Sequence, residues 1–272
     1  MRLDRPVGTY LLLWPTLWGL WLAAEGMPKI DVLLIFVAGV YLMRAAGCVI
    51  NDYADRKVDG HVERTKNRPL ATGLVSPKEA LGLFFGLCVI AFILVLFTNH
   101  YTIGLSTVAL VLAASYPFMK RYTHWPQAIL GAAFAMAIPM GFAAQTESTG
   151  LTAWLTFGAA VCMTIAYDTY YAMVDREDDV KIGIKSTAVL FGRWDLTIIA
   201  GFQAVCVGLL LVVGEINHLG NPFYGGLSVM VALFIYQQWL GRSRNTNNYF
   251  KAFINHHWAA LSVWVGLLIN YI

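Results

Sequence analysis

Three aspartates follow the second long apolar segment of the chain, within the stretch NDYADRKVD at positions 51–59. Asn51, Asp55 and Asp59 are spaced i, i+4 and i+8. A continuing helix would therefore place them on one face, with Asp52 one position round. Aligned carboxylates repel each other unless a cation or basic side chains neutralise them, and oxygen ligands beside a ligand phosphate are typical surroundings of Mg²⁺. The alternative is a solvated charged loop at the end of a membrane span.

A second acidic segment repeats this arrangement later in the chain. Asp168, Asp175 and Asp179 are spaced i, i+7 and i+11, which places all three along one stripe of a helix. Two unrelated solvated loops have no reason to carry such aligned acids. The repetition favours two halves of one site.

The composition indicates that membrane helices position both acidic segments. The chain has 272 residues, of which 58% are hydrophobic and 13% charged, and its mean hydropathy is +0.60. These values exclude an ordinary soluble domain. We expect one integral membrane domain over residues 1–272, whose first span lacks a small-residue cleavage site and should stay attached. The four cysteines lie in apolar spans without a CxxC pair, which favours buried thiols over disulfides or zinc.

Nine apolar segments are long enough to cross a bilayer. They are residues 7–24, 32–51, 80–98, 101–118, 126–145, 151–173, 196–213, 223–240 and 257–272. All Lys and Arg except Lys29 and Arg44 then fall on the side where the chain begins. The positive-inside rule makes this side cytoplasmic. Both acidic segments emerge there, because an even number of crossings separates them.

The charges of the two segments indicate a ligand. Facing carboxylate clusters bind divalent cations, and the surplus positive charge, together with Lys120, Arg121, Lys181 and Lys185, matches a diphosphate. A cavity within a membrane adds an apolar tail to that diphosphate. An isoprenoid diphosphate meets both demands, with Mg²⁺ as the Lewis acid that draws electrons onto the leaving group.

At these residues the chain resembles the UbiA family of membrane aromatic prenyltransferases. The family's NDxxDxxxD motif is matched at Asn51, Asp52, Asp55 and Asp59. Its DxxxD motif with an upstream aspartate is matched at Asp175, Asp179 and Asp168. Residues 44–70, 116–127 and 166–187 are similar to the bacterial 4-hydroxybenzoate polyprenyltransferase branch, and the resemblance covers nearly the whole chain. One departure is the short amino terminus, since relatives often have an additional stretch there.

The resemblance implies an all-α membrane protein, a bundle of nine transmembrane helices around a central cavity capped by cytoplasmic loops. It also implies Mg²⁺-dependent transfer of a long all-trans polyprenyl group from its diphosphate to 4-hydroxybenzoate, at the ring carbon meta to the carboxylate. Diphosphate is released, and the step belongs to ubiquinone synthesis. The expected partners are these two substrates and the lipid bilayer of a bacterial inner membrane. The active site would face the cytoplasm, and no nucleic acid is expected.

Seven residues are predicted to form the metal site on this basis. One Mg²⁺ would be held by Asn51, Asp55 and Asp59 and another by Asp175 and Asp179, with Asp52 and Asp168 as ligands or supporting groups. Asp55, Asp59, Asp175 and Asp179 are also predicted to be catalytic, since stabilising the leaving diphosphate should dominate the rate.

Ten further side chains are candidates for contacts with the diphosphate, the carboxylate or the phenol. They are Arg44, Arg56, Arg64, Arg68, Tyr116, Lys120, Arg121, Tyr171, Lys181 and Lys185. The positive-inside bias alone would explain any of the loop cations, and interfacial tyrosines are as common in packing. Arg44 lies within an apolar span, so it either pairs inside the bundle or extends to the interface.

Two other functions are compatible with parts of this pattern. A cation-coupled transporter would carry acids in the middle of discontinuous helices, whereas these acids lie at span ends among bases. A prenyltransferase for another acceptor, such as homogentisate, dihydroxynaphthoate or haem, would share the motifs. Prenyl chain length and oligomeric state also stay open at this point.

Overall fold

The computed structural model describes residues 6–57, 59–61 and 65–272, and those residues form helices and loops without a strand. The helices are α1 (Val7–Ala24), α2 (Ile30–Asp55), α3 (Pro77–Val95), α4 (His100–Met119), α5 (Pro126–Ala135), α6 (Ala137–Thr146), α7 (Leu151–Ile182), α8 (Thr187–Phe191), α9 (Asp195–Ile216), α10 (Asn221–Arg242) and α11 (Thr246–Asn270). Short 3₁₀ turns cover Asp59–His61 and Gly192–Trp194. The predicted all-α class is confirmed.

The nine predicted spans correspond to nine helical segments of membrane length within the described ranges. Eight are apolar enough to cross by length and composition: α1, α2, α3, α4, α5 with α6, α7, α8 with α9, and α11. The other segment, α10, has 22 residues, or about 33 Å of helix. It is less apolar because it carries Gln237 and Gln238, whose amides bond Asn255 and Gln203 on the neighbouring helices.

The fifth span is broken in the middle. Helix α5 ends at Ala135 and α6 begins at Ala137. Pro139 explains the break, because its nitrogen has no hydrogen to donate to the carbonyl of Ala135. This discontinuous span, Pro126–Thr146, contains no charged residue. It therefore lacks the mid-membrane acids that a cation-coupled transporter would carry.

The two acid-bearing segments end differently. Helix α7 has 32 residues, about 48 Å of helix against a hydrocarbon core of about 30 Å. It ends where Gly183 adopts a left-handed backbone with φ of 72°. Helix α2 stops at Asp55, and Asp59 lies in the following 3₁₀ turn. Asn51 and Asp55 therefore share one helix, whereas the helical alignment that a continuing helix would extend to Asp59 stops at Asp55.

The core and the lipid-facing helices lie on different sides of the bundle. Helices α1, α6, α7, α9, α10 and α11 share the main buried cluster, with Trp18, Phe223 and Met230 fully buried. Helices α3 and α4 are largely exposed and pack on α2 and α5, respectively. The four cysteines are free, as predicted, with Cys48 and Cys206 buried and Cys88 and Cys162 partly buried.

Candidate active site

A cavity of about 1210 Å³ opens between α11 and the helices from α1 to α7. It brings together all seven residues of the predicted metal site. From the first segment these are Asn51, Asp52, Asp55 and Asp59, and from α7 they are Asp168, Asp175 and Asp179. The predicted convergence of the two acidic segments on one cavity is therefore present in the structure.

Basic side chains neutralise the acids of the first segment. The Lys120 ammonium donates to Oδ2 of Asp55, whose Oδ1 is buried without a hydrogen-bond partner among the described residues. Nη1 of Arg68 lies 2.9 Å from Oδ2 of Asp59 and 3.2 Å from Oδ1 of Asp52. The ion pair with Arg68 thus keeps Asp59 at the cavity, although Asp59 lies beyond the end of α2.

Asp59 lies outside the spans and is 5% exposed. Burial raises the pKa of its carboxyl, as does the nearby charge of Asp55, while Arg68 opposes the shift. Desolvation is the largest effect, so one guanidinium does not fully compensate for the loss of water. A further cation beside Asp59 would stabilise its ionised carboxylate and so offset the cost of desolvation.

Tyr116 and Lys120 line the cavity together with both acidic sets. The charges of Asp55 on α2 and of Asp168 on α7 both act on the phenol of Tyr116. Lys120 contacts Asp55, and its charge also acts on Asp168. The two acidic sets therefore act on the same pair of side chains within one cavity.

Three predicted basic residues do not line the cavity. Arg56 donates to the carbonyl of Tyr53 at 2.6 Å and lies 4.1 Å over that ring. Arg121 donates to the carbonyl of Ala54 at 2.6 Å, which caps the end of α2. Lys181 pairs with Asp178 on the solvent side of α7. Arg64 lies outside the described residues.

Lys185 lines the cavity and joins two loops. Its backbone nitrogen donates to the carbonyl of Lys120 at 2.9 Å, and its Nζ donates to the carbonyl of Tyr122 at 3.2 Å. The loop after α7 is thereby attached to the loop after α4. This attachment holds Lys120 and Lys185 at the same end of the cavity as the acids.

Aromatic rings from α7 and α11 form one wall. Tyr171 lies with its ring centroid 4.8 Å from that of Phe253 and 6.4 Å from that of Phe250, and Tyr167 lies 6.0 Å from Phe253. All four residues line the cavity. Tyr170, in contrast, is buried and donates to the carbonyl of Gln237, so packing explains it.

Sequence reasoning missed Tyr167 and the two phenylalanines. Phe250 and Phe253 are spaced i, i+3 near the start of α11, which puts them on one helix face. That spacing is an ordinary packing pattern in a membrane protein. Only the position of α11 against α7 directs these rings into the cavity.

The other end of the cavity is apolar. Its lining follows α2 back to Ile35, about 30 Å of helix away from Asp55. Ala91, Leu110 and Met140 line this end from three further helices. The space suits a long apolar chain whose charged end lies among the acids and bases.

Arg44 lies along α2 between these two ends. Its guanidinium lines the cavity and donates to Sγ of Cys48 at 2.5 Å. No carboxylate of the described residues forms a salt bridge with it. The charge of Asp168 acts on Arg44 through space, but a guanidinium at membrane depth that is not held in a salt bridge is suited to bind an anionic ligand group.

The donor set fits a magnesium ion that a ligand shares. Within the described ranges, no three His, Cys, Asp or Glu side chains are gathered closely enough to hold a metal by themselves. Mg²⁺ is normally held by one or two carboxylates together with phosphate oxygens and water. The buried, unpartnered Oδ1 of Asp55 is an acceptor of that kind.

Comparison with known proteins gives a consistent result. The UbiA prenyltransferase family matches residues 12–262. A 4-hydroxybenzoate octaprenyltransferase of Alkalilimnicola ehrlichii is 58% identical over 99% of this chain and 92% of its own length. One of Salmonella paratyphi C is 56% identical over 100% of this chain and 93% of its own length.

Solved structures share the fold. The apo structure of a UbiA homologue from Aeropyrum pernix K1 has a TM-score of 0.87 at 23% identity, covering 100% of both chains. A UbiA homologue from Archaeoglobus fulgidus bound to GPP and Mg²⁺ has a TM-score of 0.70 at 21% identity, covering 100% of this chain and 99% of the other.

Proposed function

This chain belongs to the UbiA prenyltransferase family, and from that premise we propose that it is a 4-hydroxybenzoate polyprenyltransferase. It transfers a long all-trans polyprenyl group from polyprenyl diphosphate to the ring carbon meta to the carboxylate of 4-hydroxybenzoate, and diphosphate is released. The full-length relatives of that activity support the acceptor. The observation that carries the chemistry is the single cavity with acids and bases at one end and apolar walls at the other.

The diphosphate would bind at the charged end. Lys120, Arg68 and Lys185 line that end and supply the positive charge that a diphosphate needs. The prenyl tail would extend along α2 toward Ile35, where it replaces water against apolar side chains. This placement leaves the bond between the first prenyl carbon and the diphosphate oxygen near the two acidic sets.

The acids would hold Mg²⁺ against the diphosphate. We assign Asn51, Asp55 and Asp59 to one ion and Asp175 and Asp179 to another, with Asp52 and Asp168 as ligands or supporting groups. When bound, Mg²⁺ supplies Lewis-acid stabilisation of the departing diphosphate. Arg68 holds Asp59 and Lys120 holds Asp55 in place at this end of the cavity.

The acceptor would lie beside the aromatic wall. The Arg44 guanidinium can hold its carboxylate, and Tyr116 and Tyr171 line the space where the phenol ring would fit. The bond between the first prenyl carbon and the diphosphate oxygen breaks with its electron pair left on the diphosphate, which gives an allylic cation. The phenol oxygen makes its ortho carbon nucleophilic, and that carbon attacks the cation. Loss of the ring proton then restores aromaticity. The surrounding rings exclude water, which would otherwise capture the allylic cation.

The chain is a multi-pass membrane protein, and we assign its charged cavity end to the cytoplasmic face of the bacterial inner membrane. The loops after α2, α4, α7 and α10 and the helix ends that flank them carry most of the basic residues. The positive-inside rule orients those loops toward the cytoplasm, where water-soluble 4-hydroxybenzoate is accessible.

The decisive experiment supplies purified protein with Mg²⁺, a polyprenyl diphosphate and one acceptor at a time, and identifies products by mass. We expect prenylated 4-hydroxybenzoate and no product with homogentisate, dihydroxynaphthoate or haem. Omission of Mg²⁺ should abolish the product. Prenylation of another acceptor in preference would overturn the acceptor assignment, and solute uptake into vesicles without any product would overturn the enzyme assignment.

A further inference from the structure

A buried ion cluster lies behind the acid-bearing face of α7. Asp195, the first residue of α9, has no exposed surface. Its Oδ2 lies 2.5 Å from Nη2 of Arg176 on α7, and its Oδ1 lies 2.6 Å from Nη1 of Arg244 in the loop between α10 and α11. One buried carboxylate thus joins three separate parts of the bundle.

The loop between α10 and α11 has an unusual backbone conformation at Arg244, the residue that contacts Asp195. Arg244 has φ of 52°, a left-handed backbone that is uncommon outside glycine. Its guanidinium nevertheless reaches both oxygens of Asp195, at 2.6 and 2.8 Å. Asp195 Oδ1 also accepts from the backbone nitrogen of Leu196 at 2.6 Å, within the first turn of α9.

The buried ion cluster lies next to the predicted metal ligands of α7. Arg176 follows Asp175, so their side chains leave α7 about 100° apart. Asp175 lines the cavity while Arg176 is held by Asp195. Rotation of α7 that moved Asp175 or Asp179 would have to break the bond between Arg176 and Asp195.

We propose that Asp195 is a positioning residue, which sets the rotation and depth of the last turns of α7 through Arg176 and so presents Asp175 and Asp179 to metal-bound diphosphate. This inference rests on the proposed function, since it assumes that these aspartates bind Mg²⁺ with the substrate. Groups that orient metal ligands typically change metal affinity by about 10-fold to 100-fold when removed.

The test measures binding and does not need turnover. Detergent-solubilised protein is titrated with Mg²⁺ in the presence of geranyl S-thiolodiphosphate, an unreactive diphosphate, and thermal stabilisation is recorded. Asp195→Asn should raise the Mg²⁺ concentration at half-maximal stabilisation about 10-fold or more. Arg176→Gln should do the same, the double variant should be little worse than either, and Arg176→Lys should restore most of the affinity.

A matched control lies on the same helix. Among the residues that the structure describes, Asp178 pairs with exposed Lys181 alone, so Asp178→Asn should leave the Mg²⁺ requirement unchanged. Should Asp195→Asn fail to fold, Arg244→Gln removes only the more exposed partner and should raise the Mg²⁺ requirement in the same direction. A lower melting temperature with an unchanged Mg²⁺ requirement in either folded variant, or an equal change in Asp178→Asn, overturns the proposal.

The acceptor separates this inference from the proposed function. In the folded Asp195 variant, KM for 4-hydroxybenzoate should stay near the wild-type value while the Mg²⁺ requirement rises. Wild-type protein that binds Mg²⁺ and the thiolodiphosphate but prenylates no acceptor would overturn the proposed function. The Mg²⁺ comparison between variants would still decide the role of Asp195.

Discussion

At the scale of single residues, the two oxygens of the Asp55 carboxylate have different surroundings. Oδ2 accepts from Lys120, and Oδ1 is buried without a partner among the described residues. A desolvated oxygen without a hydrogen bond is unfavourable by about 1–3 kcal/mol. The fold retains it in a cavity that also contains six other predicted metal-site residues, which is the arrangement expected of a cation site.

Replacement of Asp55 tests this interpretation. Asp55→Asn keeps the size of the side chain but removes its charge, so the stabilisation of the leaving diphosphate should weaken. We expect kcat/KM for prenyl transfer to fall by about 10²-fold or more. Rates at saturating Mg²⁺ should be compared with those of Asp178→Asn, which should stay near wild type. Turnover of Asp55→Asn within a few-fold of wild type would contradict the assignment.

Arg44 has a neighbour that controls its position. A Cβ atom built on Gly8 of α1 would lie 2.2 Å from Nη2 of Arg44, so Gly8→Ala must displace the guanidinium. Loss of a charged hydrogen bond of about 1.5 kcal/mol should raise KM for 4-hydroxybenzoate about 10-fold, with KM for the diphosphate unchanged. Gly104→Ala has open space around it and serves as the control. Unchanged acceptor kinetics would argue against the carboxylate role of Arg44.

At the scale of elements, some helices carry the acids of the site and others support its aromatic wall. Helix α2 ends at Asp55, whereas α7 is longer than a membrane span and carries all three predicted metal-site acids of the second segment on one helix. Helices α10 and α11 hold the aromatic wall in place by close packing. Gly226 makes that packing possible, because a Cβ there would lie 2.3 Å from the carbonyl oxygen of Ser262.

Adjacent glycines on α10 give a matched test of this packing. Gly226→Ala would force the backbones of α10 and α11 apart, which should lower stability by about 1–3 kcal/mol. Gly225→Ala has nothing within 4 Å of the added atom and should leave stability unchanged. Thermal unfolding of both variants in the same detergent measures the difference. Equal melting temperatures would show that the two helices are not held as closely as described.

At the scale of the whole molecule, charge and topology agree. Nine membrane-length segments place the ends of α2, α4, α7 and α10 on one side, and nearly all basic residues lie there. Of these segments, α10 is the one that is not apolar enough to count as a span by composition. Its buried Gln237 accepts from Gln203 of α9 and its partly buried Gln238 donates to the same Gln203, which lowers the penalty for placing amides in a membrane.

A reporter at the carboxyl end tests whether α10 crosses. With nine crossings, Ile272 lies on the side opposite to the basic loops, so an alkaline phosphatase fused there should be active outside the cytoplasm. A fusion after Arg242, one crossing earlier, should be inactive and is the control. The reverse result would mean that α10 does not cross or that the bundle has the opposite orientation. It would also move the charged cavity end away from the assigned face.

The sequence by itself determined the membrane class, the approximate spans and the two acidic segments. Hydrophobic length, the distribution of Lys and Arg, and helical spacing are local properties, so they can be read without contacts. The motif residues that carry the family resemblance are local in the same sense. Asp168, Asp175 and Asp179 were accordingly predicted on one helical stripe, and α7 contains all three.

Only the tertiary structure decided which side chains share the cavity. Asp59 lies beyond the end of α2, but it is held at the cavity by Arg68, which is nine positions further along the chain. Phe253 joins Tyr171, and Asp195 joins Arg176 and Arg244, through the packing of helices distant in sequence. Arg56 and Arg121 are arginines in basic segments that follow a span, as Arg68 is, but they donate to backbone carbonyls at the end of α2. Helical periodicity orients a residue on its own helix, whereas its partners depend on how the other helices are placed around it.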